Sequence, residues 1–168
     1  MTSTNTHISP VIDTKRNSVI TIENTINNTT VGEAAAAGGN ATARYITRRV
    51  TLKDGFDATG LSLHLTANRQ AGTNIYCYYK VLSQFDTATF DSRPWVLMGE
   101  TTNTNSVSAS DDVDNYLELE FTPTTATTSY VSGVTYGTFK TFAIKIVMTS
   151  ADTTKVPLIK DLRVIALA

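Results

Sequence analysis

Few side chains in this sequence could carry out acid–base, nucleophilic or metal chemistry, and they are scattered along it. The two histidines are His7, in a polar stretch near the start, and His64, in the middle of an apolar/polar alternating run. A zinc site or a serine–histidine–acid triad needs further groups at a matching spacing. Neither histidine has a second histidine at ligand spacing, so the pattern favours a solvent-facing or interface role for His64.

The single cysteine, Cys77, has no partner for an internal disulfide, which excludes the disulfide-rich secreted class of protein. Cys77 lies in an alternating run, at a position that we expect to face the interior. A buried thiol usually packs as a small hydrophobic group. We therefore expect Cys77 to be inert rather than a nucleophile.

Carboxylates offer two further candidates. Asp111, Asp112 and Asp114 could supply oxygen ligands to calcium, but they lack the glycine and the terminal glutamate of an EF-hand loop. Glu118 and Glu120 lie two residues apart and could imitate the carboxylate pair of a glycosidase. Both patterns are more typical of a solvated surface. We expect no catalytic residue, no metal ligand and no cofactor, and we expect that the protein is not an enzyme.

Three aromatic residues suggest binding instead of catalysis. Tyr76 and Tyr78 share one face of an alternating run, and Trp95 opens the next run. They could be part of the core, or anchors of a protein interface, where Tyr and Trp are enriched. They could also stack on sugar rings, which would make the chain a carbohydrate-binding module that recognises a host glycan. The sequence leaves these three interpretations open.

The elements that would position these residues are strands. Apolar and polar residues alternate in runs bounded by Gly, Asn, Asp and Pro, which is typical of half-buried antiparallel strands. The runs cover residues 44–52, 61–69, 75–82, 95–98, 116–122, 139–149 and 158–167. No long helical pattern is present. The fold class that we predict is all-β: a two-sheet antiparallel β-sandwich, jelly-roll or immunoglobulin-like, with an extended N-terminal arm.

The alternation also assigns a face to each side chain. In the first run we expect Ile46, Val50 and Leu52 to point inward. In the second run, Leu61, Leu63, Leu65 and Ala67 line the inner face, and Ser62, His64, Thr66 and Asn68 the opposite one. In the third run, Ile75, Cys77, Tyr79 and Val81 share the inner face, and Tyr76, Tyr78 and Lys80 point outward. In the last run, Leu158, Leu162 and Val164 lie on one side, and Ile159, Ile165 and Leu167 lie on the other. A strand that is apolar on both faces is either central or covered by another molecule.

The first 40 residues read as an arm and linker, and residues 41–168 as the sandwich domain. The arm contains a short β-branched run with Val19, Ile20 and Ile22 but no second strand that could pair with it. Such a segment can add to an exposed sheet edge on another subunit. We expect these three residues to be interface residues, together with Tyr76, Tyr78 and Trp95.

The charge pattern excludes several classes of partner. The net charge is −1, and acidic and basic residues are interspersed, so the sequence does not indicate binding to nucleic acid or to an anionic membrane. No window contains the roughly 20 apolar residues of a membrane span. Residues 1–10 have neither a basic start nor an apolar run, so we expect no signal peptide. We expect a soluble protein that is made in a cytoplasm.

Several segments match, in order, a pattern known from other proteins. They are residues 43–52, 55–58, 61–65, 71–73 followed by 78–81, and 95–98, with residues 9–13 and 18–20 before them and residues 157–167 after them. This set resembles a segment of the virion structural proteins of contractile-tailed phages, especially those of cyanobacteria. The motifs are structural and include no active site.

The resemblance implies a non-enzymatic structural component of a phage virion, a β-sandwich building block of the tail or baseplate. Together with the unpaired β-branched run of the arm, it leads us to expect assembly in the host cytoplasm through the N-terminal arm and the sandwich surface. The implied partners are other virion structural proteins and copies of the same chain. The alternatives are a carbohydrate-binding module for host-surface recognition and a capsid decoration protein.

Overall fold

The computed structural model describes residues 24–110, 114–125, 129–131 and 134–168. These residues form strands and one 3₁₀ turn at Phe90–Ser92, and they contain no helix long and apolar enough to cross a membrane. The strands are β1 (Ala43–Ile46), β2 (Val50–Thr51), β3 (Gly60–Asn68), β4 (Thr73–Leu82), β5 (Val96–Thr102), β6 (Leu117–Pro123), β7 (Ser129–Val131), β8 (Val134–Tyr136), β9 (Thr141–Ser150) and β10 (Leu158–Leu167). The prediction of an all-β chain is confirmed.

Eight of these strands form one continuous antiparallel sheet, in the order β1-β9-β4-β5-β6-β3-β10, with β2 also paired to β9. The remaining two, β7 and β8, form a separate hairpin. Strand β5 joins the two halves of the sheet, because its start pairs with β4 and the rest pairs with β6. A strand that changes partners in this way turns a corner, so the sheet curls around a single core.

The core fills the concave side of the curled sheet. Its buried members come from both halves of the sheet, and they include Leu61, Leu63, Leu65, Ile75, Cys77, Tyr79, Leu119, Phe121, Ile144 and Ile146. The inner faces predicted for β3 and β4 are therefore confirmed. Phe139 and Phe142 add an edge-to-face contact, with 6.1 Å between ring centroids. This geometry is favoured because the positive edge of one ring meets the negative face of the other.

The prediction for the first run was wrong for two of its three residues. Ile46 and Val50 are 50% and 41% exposed, although both were expected to point inward. The chain leaves the strand geometry between them, so β1 and β2 are two short pieces at the margin of the sheet. Thr47 fixes this break, because its N–H donates to the carbonyl of Ile144 and its hydroxyl accepts the Ile144 N–H. Leu52 does pack partly against the core.

Among the strands that the structure describes, β10 lies at the edge of the sheet and not in its centre. A bulge between Ile159 and Asp161 shifts the alternation by one residue. Ile159 therefore joins Leu162 and Val164 on the core side, and not the opposite side as predicted. Leu158, Ile165 and Leu167 are left 37–49% exposed.

Residues 24–41, which we call the cover segment, lie against the outer face of β4 and β9. Two main-chain hydrogen bonds attach this segment to the rest of the chain, one near its start and one in its middle: Ser150 N–H donates to the carbonyl of Asn27, and Trp95 N–H donates to the carbonyl of Ala34. Ile26 is buried. Most of the described part of the predicted arm is thus bound to its own body. Residues 1–23 lie outside the described residues, and the division into arm and domain stays a prediction.

The core makes a direct test possible. Leu63 is fully buried, and Leu63→Ala should lower the free energy of unfolding by about 2–5 kcal/mol, because it removes packing and leaves a cavity. Leu158→Ala is the matched control, since Leu158 is 37% exposed on the same sheet, and it should cost less than about 1 kcal/mol. Urea unfolding followed by circular dichroism measures both. Equal losses would contradict the placement of the core.

Candidate functional site

The outer face of β4 and β9 carries a second buried layer beneath the cover segment. Tyr78 and Trp95 are each 6% exposed, and Tyr76 is partly buried. They form one cluster, whose other buried members are Ala41, Phe90, Ala143 and Val147. The structure thus brings the three predicted aromatic residues together, but two of them are covered by their own chain. Val19, Ile20 and Ile22 lie outside the described residues, so their interface role stays a prediction.

A buried ion pair holds the cover segment on this face. The ammonium of Lys145, on β9, lies 2.8 Å from Oε2 of Glu33, and both side chains are fully buried. Lys145 also donates to the main-chain carbonyl of Glu33. The other carboxylate oxygen of Glu33 accepts the N–H of Ala41 at 2.9 Å and lies 3.7 Å from the guanidinium of Arg44. Both oxygens of the carboxylate therefore have partners, which a buried charge requires.

The environment of Glu33 keeps it ionised. Burial opposes ionisation and would raise the pKa of Glu33. The hydrogen bonds from Lys145 and Ala41, with the positive charges of Lys145 and Arg44, outweigh this effect and hold the pKa below its usual value of 4.5. The carboxylate of Glu33 is consequently charged at neutral pH.

Cations occupy the faces of the aromatic rings. The Lys145 ammonium lies 4.9 Å from the ring centroid of Tyr78 and 5.0 Å from that of Trp95. Lys80, on β4, lies 4.7 Å from the Trp95 ring. These distances are typical of cation–π contacts. Because both residues are also only 6% exposed, Tyr78 and Trp95 leave little ring surface on which a sugar could stack.

Gly39 allows two parts of the cover segment, around residues 33 and 39, to lie close together. A Cβ atom at this position would lie 2.5 Å from the main-chain nitrogen and from Cδ of Glu33, and closer still to Oε1. Real Cβ atoms do not make such contacts. Only glycine therefore fits here without displacing the carboxylate that binds Lys145.

A groove lies beside this layer and has a volume of about 690 Å³. Residues 36–38 of the cover segment form one wall, and Phe90 and Trp95 form another. Three cationic side chains line the groove, Arg44, Arg49 and Lys80, against the single acidic residue Asp91. The groove is thus positively charged and partly aromatic.

A second groove, of about 660 Å³, crosses the outer face of β3, β6 and β10 and contains His64. Ser62 Oγ lies 3.0 Å from Nε2 of His64 and 3.2 Å from Oε1 of Glu120. In a catalytic triad the acid orients the histidine, which then contacts the serine. Here the serine lies between the other two groups, so the order required for a triad is not met.

The other candidates for chemistry were the thiol of Cys77 and the acidic residues near position 111. Cys77 is fully buried, and burial, with a further contribution from the charge of Glu100, raises the pKa of its thiol well above the usual value. A thiol in that state is a poor nucleophile. Asp111 and Asp112 lie outside the described residues. Within the ranges that the structure describes, no three His, Cys, Asp or Glu side chains are grouped so that they could hold a metal ion.

Comparisons with known proteins do not assign this chain to a family. No protein-family model, no curated protein and no solved structure matches this chain. The interpretation of the surface therefore depends on its own geometry.

The sequence prediction missed Glu33, Gly39, Lys80 and Lys145. One signal was present: Ala143, Lys145 and Val147 alternate with the inward residues of β9, so two of the three outward positions are apolar. That pattern indicates a covered outer face, but it does not identify what covers it.

Gly39→Ala tests whether the close approach is required. We expect this substitution to lower the free energy of unfolding by about 1–3 kcal/mol, because the new methyl group pushes Glu33 away from Lys145. The fluorescence of Trp95, the only tryptophan, should become more sensitive to acrylamide quenching. Gly137→Ala is the control, since a Cβ atom there meets nothing within 4 Å. Identical behaviour of the two variants would contradict the role of Gly39.

Acid should weaken the ion pair, and comparison with Glu33→Gln separates this effect from the other effects of pH on stability. Because the pKa of Glu33 is lower in the folded state, its stabilisation is fully present above the unfolded value of 4.5 and is lost as pH falls through the folded value. Wild type should be more stable than Glu33→Gln at pH 7, and the difference should shrink below about pH 4.5. Urea unfolding of both proteins from pH 7 to pH 3 measures it. A difference that does not change with pH would contradict this assignment.

Proposed function

We propose that this chain is a non-enzymatic structural component of a contractile-tailed phage virion, in the tail or baseplate, and that it assembles through an open edge of its curled sheet. The resemblance of its alternating runs to virion structural proteins supports the identity of the particle. The geometry of β10 supports the mode of assembly. The two proposals are separate and can fail separately.

The observation that carries the assembly role is the edge formed by β10. This strand is ten residues long and pairs with β3 on one side, and among the described residues no strand pairs with its other side. An unpaired edge presents a row of N–H and C=O groups to any strand that approaches. The bulge near the start of β10 is one of the devices that protect an edge from another strand. Beyond it, residues 161–167 pair regularly with β3, so this part of β10 is the suitable acceptor for a further strand.

The side chains of β10 fit an added strand. Ile165 and Leu167 are exposed at its C-terminal end, and Leu158 is exposed at its start. Lys160, Asp161 and Arg163 lie between them and are exposed. The apolar side chains at the two ends would be buried by an added strand. The charged side chains in the middle would require a partner strand with opposite charges facing them.

We further propose that the added strand comes from Val19, Ile20 and Ile22 of a neighbouring subunit, as in strand addition. Since the cover segment is bound to its own body, only residues 1–23 would extend to that neighbour. The donor residues lie two to five positions before Asn24, so fully extended they reach at most about 16 Å from the cover segment at 3.3 Å per residue. The accepting edge of the neighbouring subunit must therefore lie close to residue 24.

In this proposal the curled sheet acts as a two-sheet sandwich, jelly-roll or immunoglobulin-like. The inner faces of β4 and β9 share one core with those of β3 and β6, which supports this interpretation. A capsid decoration protein could use the same edge, so the position of the chain in the particle distinguishes that alternative. The glycan-binding alternative requires open faces on Tyr78 and Trp95, and their burial favours assembly.

The test blocks the edge without disturbing the core. Ile165→Lys combined with Leu167→Lys places two further charges on exposed positions, so the domain should fold normally. We expect the fraction of the protein that cosediments with virions from infected cells to fall at least tenfold. Val31→Lys, at a position that is 67% exposed in the cover segment, is the control and should assemble as wild type does.

A truncation tests the role of the donor segment, residues 1–23, independently of the acceptor edge on β10. Deletion of residues 1–23 should leave a folded body that keeps its β10 edge, whereas deletion of residues 1–41 would also remove Glu33 and expose Lys145. The shorter deletion should lower cosedimentation without lowering thermal stability. Cosedimentation of both the lysine variant and the shorter deletion at the wild-type level would overturn the assembly mechanism.

A further inference from the structure

The groove beside the cover segment contains a buried cation, Lys80, whose charge is only partly compensated. Lys80 is 4% exposed, and none of the ion pairs within the described ranges involves it. Its ammonium donates to the main-chain carbonyls of Ala36 and Asp91 at 3.3 and 3.4 Å. Both distances are long for a charged hydrogen bond, and an ammonium has three N–H donors.

Lys145 provides the contrast on the same sheet. Its ammonium is also buried, but the carboxylate of Glu33 lies 2.8 Å away. Lys80 has instead the rings of Trp95 and Phe90, at 4.7 and 5.7 Å, and burial lowers its pKa. The negative charge of Asp91 partly opposes this lowering of the pKa, but Asp91 forms none of the close ion pairs found among the described residues. A buried charge that is only partly compensated costs free energy. Lys80 is thus held in a position where an incoming anion would be stabilised.

The rest of the groove fits an anion as well. Arg49 is exposed at the groove and lies over the ring of Phe90, with 5.7 Å from Cζ to the ring centroid. The guanidinium of Arg44 donates to the carbonyl of Gly39 at 2.9 Å and is partly neutralised by Glu33. Of the two arginines in the groove, Arg49 is therefore the one whose positive charge is less neutralised by its neighbours. Guanidinium groups bind oxyanions through two parallel hydrogen bonds.

We propose that this groove is a binding site for an oxyanion, either a carboxylate or a phosphate group, with Lys80 as the buried counter-charge and Arg49 as the outer contact. The aromatic walls would accept an apolar part of the same ligand. This site does not depend on the β10 edge or on a role in a virion. Its loss should leave assembly through β10 unchanged.

Trp95 reports directly on the site because it is the only tryptophan and its ring lies beside Lys80. The full-length chain is titrated with inorganic phosphate, and separately with acetate, at a constant ionic strength set with sodium chloride. We expect a saturable change in Trp95 fluorescence and a matching rise in the melting temperature with at least one anion. Saturation with phosphate alone or with acetate alone tells which oxyanion the groove prefers.

Lys80→Met keeps the length of the side chain and removes its charge. We expect binding of the preferred anion to weaken at least tenfold, and the melting temperature without anion to stay equal or to rise, because the buried charge is gone. Lys53→Met is the matched control, since Lys53 is exposed, lies 6.0 Å from the Phe56 ring and is outside the groove. It should bind as wild type does.

Arg49→Gln gives an independent answer if Lys80→Met does not fold, since Arg49 is exposed. It should weaken binding severalfold with no change in stability. The proposal is overturned if neither anion gives a saturable response in the wild type, or if a folded Lys80→Met binds as tightly as wild type. It is also overturned if Arg49→Gln leaves the affinity unchanged.

Discussion

The outer surface of this protein depends on one buried interaction, the pairing of Glu33 with Lys145. Two opposite charges removed from water are stable only when they meet closely and when their remaining hydrogen-bonding groups are satisfied. Both conditions hold here, because Ala41 and the main chain of Glu33 complete the contacts. The pair joins the cover segment to the middle of the sheet and fixes the position of residues 24–41.

This attachment has consequences for the surface. It buries the outer face of β4 and β9, so that these two strands are covered on both sides, and it supplies one wall of the groove that contains Lys80. The opposite end of the sheet has no such cover among the described residues, and β10 remains an open edge there. The described part of the molecule thus has a covered outer face with a cationic groove, and β10 at the far end of its sheet has no second partner strand.

Much of the sheet could be predicted from the sequence, because strands with one buried face alternate strictly. The inner residues of β3 and β4, such as Leu63 and Cys77, were assigned correctly for this reason. Alternation is a local signal, however, and it does not show where a strand lies in the sheet. Ile46 was expected inside because nothing in the sequence shows that β1 lies at the margin. The bulge in β10 was equally invisible.

The candidate site could not be predicted, because it depends on a contact between distant residues. Glu33 lies in an alanine-rich stretch that has the composition of a linker, and Lys145 occupies an outward position on a strand. Each residue alone is typical of a solvated surface. Only the fold brings the two together. The need for glycine at position 39 is equally hidden in the sequence, because it arises from the carboxylate of Glu33 that lies beside it in the folded chain.

A double-mutant cycle on this ion pair tests the central claim most directly. Glu33→Gln and Lys145→Met are made singly and together, and the free energy of unfolding of each variant is measured in urea at pH 7. Each single change should cost about 3–5 kcal/mol, because it leaves the other group buried without its partner. The double variant should cost less than the sum by at least about 1 kcal/mol. Additive losses, within about 0.5 kcal/mol, would contradict the claim that this pair holds the cover segment in place.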